Sequence, residues 1–220
     1  MLKEEIFSMV DHTNLKKTAT KEDIKRLCEE AFAYNAKSVC VPPCYVSYAS
    51  ELLQYKNPLV CTVIGFPNGY STTSVKRAET KDAILSGADE IDMVVNICDI
   101  KNRDFEKIED EIRELANVCH NKSYFGKEAT LKVIIETCLL TKEEIKEMCE
   151  ICIRAKADFI KTSTGFDKLG AQVEDIKLMK ETIKDRPLKI KASGEIRTLE
   201  DAEKMIIAGA SRIGASALFS

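Results

Sequence analysis

Three features of this 220-residue sequence predict an α/β fold closed into a single (β/α)8, or TIM, barrel. Eight short β-rich runs alternate with longer runs of helical period, the pattern of a parallel sheet covered by helices. No G-x-G-x-x-G follows any of these runs, so the usual dinucleotide signature of an open doubly wound sheet is missing. A short repeat, x-Ala-x-x-Ile/Val-x, recurs as NAKSVC (35–40), GADEID (87–92), KADFIK (156–161) and GASRIG (209–214). Each copy reads as a helix end, a tight turn and the entry to a strand. The length suits one domain, residues 1–220, with a substantial core.

The elements follow in order. VDHT (10–13) is the first strand, and Thr20-x-x-Asp23 then opens a helix with a capping signal. SVCV (38–41), LVCTVIGF (59–66) and EIDMVVNI (90–97) supply the next three strands through their β-branched content. Asp104 stands as N-cap of the clearest helix, which carries Phe105, Ile108, Ile112, Leu115 and Cys119 on one face. LKVIIET (131–137) is the fifth strand. Thr141-x-x-Glu144 then forms a capping box before a stripe of Ile145, Met148, Cys149, Cys152 and Ile153. That stripe makes Cys149-x-x-Cys152 a core pair, not a metal or redox pair. DFIKTST (158–164), LKIKASG (188–194) and SRIGAS (211–216) complete the eight, with Thr198-x-x-Asp201 opening the helix after the seventh. The chain stops at Ser220, so the barrel is expected to lack most or all of its last helix.

Composition narrows the function. The formal charge is −3 with no long basic run, which offers little to nucleic acid or an anionic membrane. No run of about 18 apolar residues is present to span a bilayer. Glu4, Glu5 and Asp11 interrupt the stretch where an export signal would be apolar. The expectation is a cytoplasmic protein. Its nine cysteines, odd in number and without a framework of spacings, read as reduced thiols, and Cys44, Cys61 and Cys138 as packing residues. With only His12 and His120 present, a three-histidine zinc site within one chain is excluded. No metal and no cofactor is expected.

The repeat also aims side chains. Strand residues alternate between faces, so each Ile or Val meets the outer helices and the next residue points inward. Asp11, Cys40, Asp92, Lys161 and Lys191 then converge on one interior from different strands. Inward lysines and carboxylates are costly as mere structure, and perturbed charges cluster at functional sites. A lysine turns nucleophilic when burial and a second cation lower its pKa. It can then attack a carbonyl and form a Schiff base, with a carboxylate such as Asp92 moving protons. Spacing alone leaves open which lysine is the nucleophile. A buried ion pair, or lysines that snorkel outward between helices, fits the same residues. Thr164-Gly165, Ser193-Gly194 and Gly214-Ala215-Ser216 end strands six, seven and eight, and barrels of this kind commonly bind phosphate at the loops after the last two.

DHTNLK (11–16), SVCVPP (38–43), VIGFPNGYSTT (63–73), GADEIDMVVNI (87–97), LKVIIETCLL (131–140), ADFIKTSTGF (157–166), IKASGEIRT (190–198) and RIGAS (212–216) together resemble the deoxyribose-phosphate aldolase family. The resemblance spans nearly the whole chain. It implies a class I aldolase that reversibly cleaves 2-deoxy-D-ribose 5-phosphate into acetaldehyde and D-glyceraldehyde 3-phosphate. It also implies Lys161 as the Schiff-base former, Lys191 as electrostatic partner and relay, and Asp92 as proton donor and acceptor. Asp11, Thr13, Cys40 and Thr164 become substrate-binding or supporting residues, and Gly165, Gly194, Glu195, Gly214 and Ser216 the phosphate site. A phosphorylated sugar and aldehydes are the expected partners, with a homodimer as the family-level assembly. The chain departs from the family in three places: Glu195 where a second glycine is usual, DKLGA (167–171) where the loop is usually glycine-rich, and the short C-terminal end.

Overall fold

The computed structural model describes residues 1–219. Eight parallel strands pair in sequence order, and the eighth closes onto the first. They are β1 (Val10–Thr13), β2 (Ser38–Val41), β3 (Leu59–Ile64), β4 (Glu90–Val94), β5 (Thr130–Ile134), β6 (Phe159–Lys161), β7 (Lys189–Ser193) and β8 (Arg212–Ala215). The helices are α1 (Lys3–Phe7), α2 (Lys21–Ala33), α3 (Val46–Leu52), α4 (Thr73–Leu85), α5 (Ile97–Asn102), α6 (Phe105–Cys119), α7 (Lys122–Phe125), α8 (Lys142–Arg154), α9 (Val173–Ile183) and α10 (Leu199–Ala208). No helix among the described residues is long and apolar enough to cross a membrane.

Alternation along each strand divides the molecule into two layers. Val39, Ile91, Leu131, Ile160, Ile190 and Ile213 face outward and join Ile24, Ile112, Met148 and Ile176 of the helices in one apolar cluster. Each fully buried side chain of this size stabilises the fold by about 1.5–3 kcal/mol. The hydrophobic core is therefore a ring between sheet and helices. The barrel interior is left to the other face of the strands, which carries charge.

Helix starts follow the sequence closely. Thr20, Thr141 and Thr198 accept the backbone N–H of Asp23, Glu144 and Asp201, whose carboxylates accept the cap N–H in return. Each cap is worth about 1 kcal/mol. Asp104 does occupy the N-cap of α6, yet its side chain makes no capping hydrogen bond. The six strands from β3 to β8 are shorter than the runs that predict them. β3 stops at Ile64 because Gly65 turns the chain at φ +60°. β4 stops at Val94, since Asn96 caps α5 by accepting the Cys98 N–H at 3.1 Å. β6 ends at Lys161, and Thr162, Ser163 and Thr164 beyond it remain buried outside the strand.

No helix follows β8 among the described residues. Phe219 instead packs its ring on Phe7 and His12, with centroids 4.6 and 4.4 Å away.

A second buried charge pair lies outside the barrel. Lys76 of α4 is fully buried and donates to the Val94 carbonyl and to Glu111 of α6, both at 2.8 Å. Burial lowers its pKa, and Glu111 works against that shift. Glu111→Ala strands this ammonium and is expected to cost about 3–5 kcal/mol in urea unfolding. The double replacement Lys76→Met, Glu111→Leu is expected to recover most of that loss.

Candidate active site

Strand register assembles the interior. Asp92 stands opposite Lys132 across β4 and β5, and Lys161 opposite Lys191 across β6 and β7. The four side chains meet at one carboxylate. Asp92 accepts from Lys132 and Lys161 at 2.8 Å and from Lys191 at 2.7 Å. Lys191 also donates to Asp11, Lys132 reaches Glu90 at 2.7 Å, and Arg212 ties Asp11 to Glu90 at 2.7 and 2.8 Å. The lysines therefore do not snorkel outward.

The charge states follow from this geometry. Burial works to raise the Asp92 carboxyl, but the Lys132, Lys161 and Lys191 ammoniums outweigh it and hold the group well below the usual carboxylate range. Asp11 behaves likewise under Lys191, Lys132 and Arg212. Burial works to lower Lys191, and Asp11 and Asp92 outweigh it, so this lysine stays protonated. Lys132 is raised for the same reason, chiefly by Asp92. Three carboxylates thus face four basic side chains. The buried set is neutral when one of the four is an uncharged amine.

One of them opens to a substrate-sized space. A cavity of about 780 Å³ lies at the C-terminal ends of the strands, and Lys161 lines it while Lys132 and Lys191 do not. Thr13, Thr164, Gly165, Gly194, Glu195, Gly214 and Ser216 line it too. Asp11, Cys40, Asp92 and Lys191 sit below its floor, with Cys40 packed against Cys61 and Val63. The carboxylates that could ligate a metal ion are already held by ammonium or guanidinium groups.

The departures at Glu195 and the following loop find a local explanation. Glu195 has φ +61°, a left-handed conformation that favours glycine, and its carboxylate accepts the Gly170 N–H at 3.0 Å. Gly170 in turn is pressed on the β7 turn, where a Cβ would lie 2.1 Å from the Gly194 oxygen. DKLGA therefore keeps a glycine where the two loops touch.

Sequence reasoning missed four residues of the site and misread a fifth, Cys61. Lys132 sits where the repeat is one residue short, because Ala129 precedes Leu131 by two positions instead of three. A lysine between Leu131 and Val133 was the available signal. Glu90 and Arg212 lie two positions before Asp92 and Gly214, on the same inward faces. Cys61, read as packing, belongs to this network: its thiol donates to Asp92 at 3.2 Å, and burial keeps it protonated. Cys44 is exposed and Cys138 half-buried, so the packing reading fails for Cys44. Lys189 lies outside the barrel interior, exposed at the start of β7 over the Phe159 ring.

The fourth missed residue, Glu136, follows β5 at φ +51° and is buried. It accepts the Thr164 N–H at 3.2 Å and the Thr164 hydroxyl, so it pins the turn after Lys161. Burial raises its pKa, with the Thr164 hydrogen bonds opposing.

Comparison with known proteins gives a consistent picture. Residues 6–219 match the DeoC/LacD family aldolase description. A deoxyribose-phosphate aldolase of Clostridioides difficile is 54% identical over 213 residues, covering 97% of this chain and 93% of its own. One from Streptococcus agalactiae is 50% identical over 212 residues, covering 96% and 91%. Among solved structures, the tetrameric deoxyribose phosphate aldolase of Aeropyrum pernix superposes with TM-score 0.89 at 31% identity, over 98% of this chain and 88% of its own.

Glu136 yields a signed test. Its folded pKa is raised above the ordinary 4.5, so its stabilising, protonated form is complete below pH 4.5 and lost as pH rises through the folded value. Glu136→Gln imitates the protonated form. It is expected to melt above the parent protein at pH 7–8, with the gain disappearing near pH 4 in a series of thermal melts.

Proposed function

The chain belongs to the DeoC/LacD family of aldolases, and on that premise we propose that it reversibly cleaves 2-deoxy-D-ribose 5-phosphate into acetaldehyde and D-glyceraldehyde 3-phosphate. The observation that carries the residue assignment is that Lys161, alone of the three lysines around Asp92, lines the cavity. Lys161 is the nucleophile, and it attacks once it has given up its proton.

Its nitrogen attacks C1 of the sugar, and loss of water leaves a protonated imine. Asp92 takes the C3 hydroxyl proton through water as the C2–C3 bond breaks. The bonding pair moves into the imine to give an enamine, and D-glyceraldehyde 3-phosphate leaves. The enamine regains a proton at C2, and hydrolysis releases acetaldehyde and the free amine. Lys191, kept cationic by Asp11 and Asp92, is the fixed positive partner and proton relay. Lys132 holds the other Asp92 oxygen, so that the carboxylate cannot turn away. General acid–base transfer of this sort contributes about 10²–10⁴-fold.

At the far end, backbone N–H groups at Gly165, Gly194, Glu195 and Gly214 and the Ser216 hydroxyl receive the phosphate, as strand-end turns of such barrels do. Thr13, Thr164 and Cys40 shape the space around the sugar. The Glu195 carboxylate already accepts a backbone donor from Gly170, which favours the phosphorylated substrate over an unphosphorylated one. The reading places the protein in the cytoplasm, in deoxyribose phosphate catabolism, as a homodimer to be checked by sedimentation.

Borohydride reduction in the presence of deoxyribose 5-phosphate is expected to fix a substrate-derived mass on the peptide bearing Lys161. An adduct on Lys191 would reverse the two roles, and no adduct at all would remove the mechanism. Lys161→Arg is expected to abolish trapping. Lys191→Leu is expected to lower kcat by about 100-fold or more, measured by coupled assay of the released glyceraldehyde 3-phosphate.

A further inference from the structure

Beyond β5 the chain stays bonded to the end of β6. The Ile135 N–H donates to the Lys161 carbonyl at 3.0 Å, and the Thr137 N–H to the Thr162 carbonyl at 2.9 Å. Glu136 lies between these two bonds at φ +51° and ψ 68°, a left-handed conformation that is unfavourable for a residue with a side chain. Such a conformation persists only where its surroundings hold it, and it gathers at functional sites. Glu136 is buried and spends its carboxylate on one residue. Its two oxygens accept the Thr164 N–H at 3.2 and 3.3 Å, and Oε2 also accepts the Thr164 hydroxyl.

The hydroxyl can then be accounted for in full. It has one hydrogen to give and two lone pairs with which to receive. A carboxylate only accepts, so the hydrogen is committed to Glu136. One lone pair takes the Phe166 N–H at 3.1 Å. A single lone pair is left, and Thr164 lines the cavity that Lys161 opens into. What Thr164 offers to a substrate is therefore an acceptor.

We infer that Glu136 is a positioning residue that fixes the polarity of the Thr164 hydroxyl, so that the site takes the C4 hydroxyl of the sugar as a hydrogen-bond donor and discriminates against a C4 group that can only accept. The inference rests on the aldolase reading above. There C1 is bonded to Lys161, C5 carries the phosphate, and the C3 hydroxyl gives its proton toward Asp92. The C4 hydroxyl is the one donor left. Thr164 stands in the chain between Lys161 and the Gly165 turn, as C4 stands between C1 and the phosphate. Glu136→Gln reverses the polarity. Its carbonyl keeps the Thr164 N–H and its NH2 donates to the hydroxyl oxygen, which turns the hydroxyl hydrogen to the cavity. The opposite flip would set the NH2 against the Thr164 N–H.

The test uses the whole chain in the synthetic direction at pH 7–8, with acetaldehyde as donor. The acceptors are D-glyceraldehyde 3-phosphate, whose C2 becomes C4 of the product, and two analogues with fluorine in the same configuration or hydrogen in place of the C2 hydroxyl. Values of kcat/KM are measured for the parent, Glu136→Gln, Thr164→Val and Thr164→Ser. The readouts are the hydroxyl-to-fluorine and hydroxyl-to-hydrogen ratios, which a general loss of activity does not move. Glu136→Gln is expected to lower the first by about three- to tenfold and to keep the second, because the reversed hydroxyl still bonds a hydroxyl but no longer opposes fluorine. Thr164→Val is expected to lower both, and Thr164→Ser to hold both. A parent hydroxyl-to-fluorine ratio in Glu136→Gln overturns the inference. So does a loss of both ratios equal to that of Thr164→Val, which would make Glu136 a support of the turn alone. Failure of the parent protein to join acetaldehyde to D-glyceraldehyde 3-phosphate would instead overturn the aldolase reading.

Discussion

A single carboxylate organises this molecule. Asp92 accepts from three ammonium groups delivered by three different strands. Unpaired, any one of those charges inside the barrel would cost several kcal/mol. Together with Asp11, Glu90 and Arg212 they form a closed network in which every carboxylate has at least two basic partners. Such a network is a weak source of net stability, because desolvation offsets the attraction. Its value lies in preorganisation. In the proposed reaction the charges are already placed when a carbonyl arrives, so no solvent has to reorganise around the developing iminium.

Stability is supplied elsewhere, by the apolar ring between strands and helices. The separation lets the interior be chemically demanding while the outer layer supports the barrel. Lys76 and Glu111 show how the junction is managed: one buried pair ties α4 and α6 to the carbonyl at the end of β4, beside the turn that bears Phe66.

Local patterns made most of this legible in the sequence. β1 and β2 coincide with their β-branched runs, and Thr20, Thr141 and Thr198 cap the helices they precede. The repeat pointed Asp11, Cys40, Asp92, Lys161 and Lys191 inward, and all five lie there buried. What escaped was set by geometry that spacing does not encode. Lys132 fell outside the repeat because its turn is one residue shorter. Glu136 carries a left-handed backbone that no residue type announces, and its partner Thr164 is 28 positions away. The cavity that separates Lys161 from Lys191 exists only once β6, β7 and β8 stand side by side.

The strict alternation of oil and charge along the strands also bears on how the chain finds its fold. Ile160 and Lys161 are neighbours, as are Ile91 with Asp92 and Ile190 with Lys191. Sliding any of these strands by one residue would drive an ammonium or a carboxylate into the apolar ring and turn an isoleucine onto the ions. Parallel strands made only of apolar residues would tolerate such a slip far better. The interior charges thus serve as alignment marks: a barrel zipped in the wrong register is rejected by the same groups that the correct one gathers around Asp92.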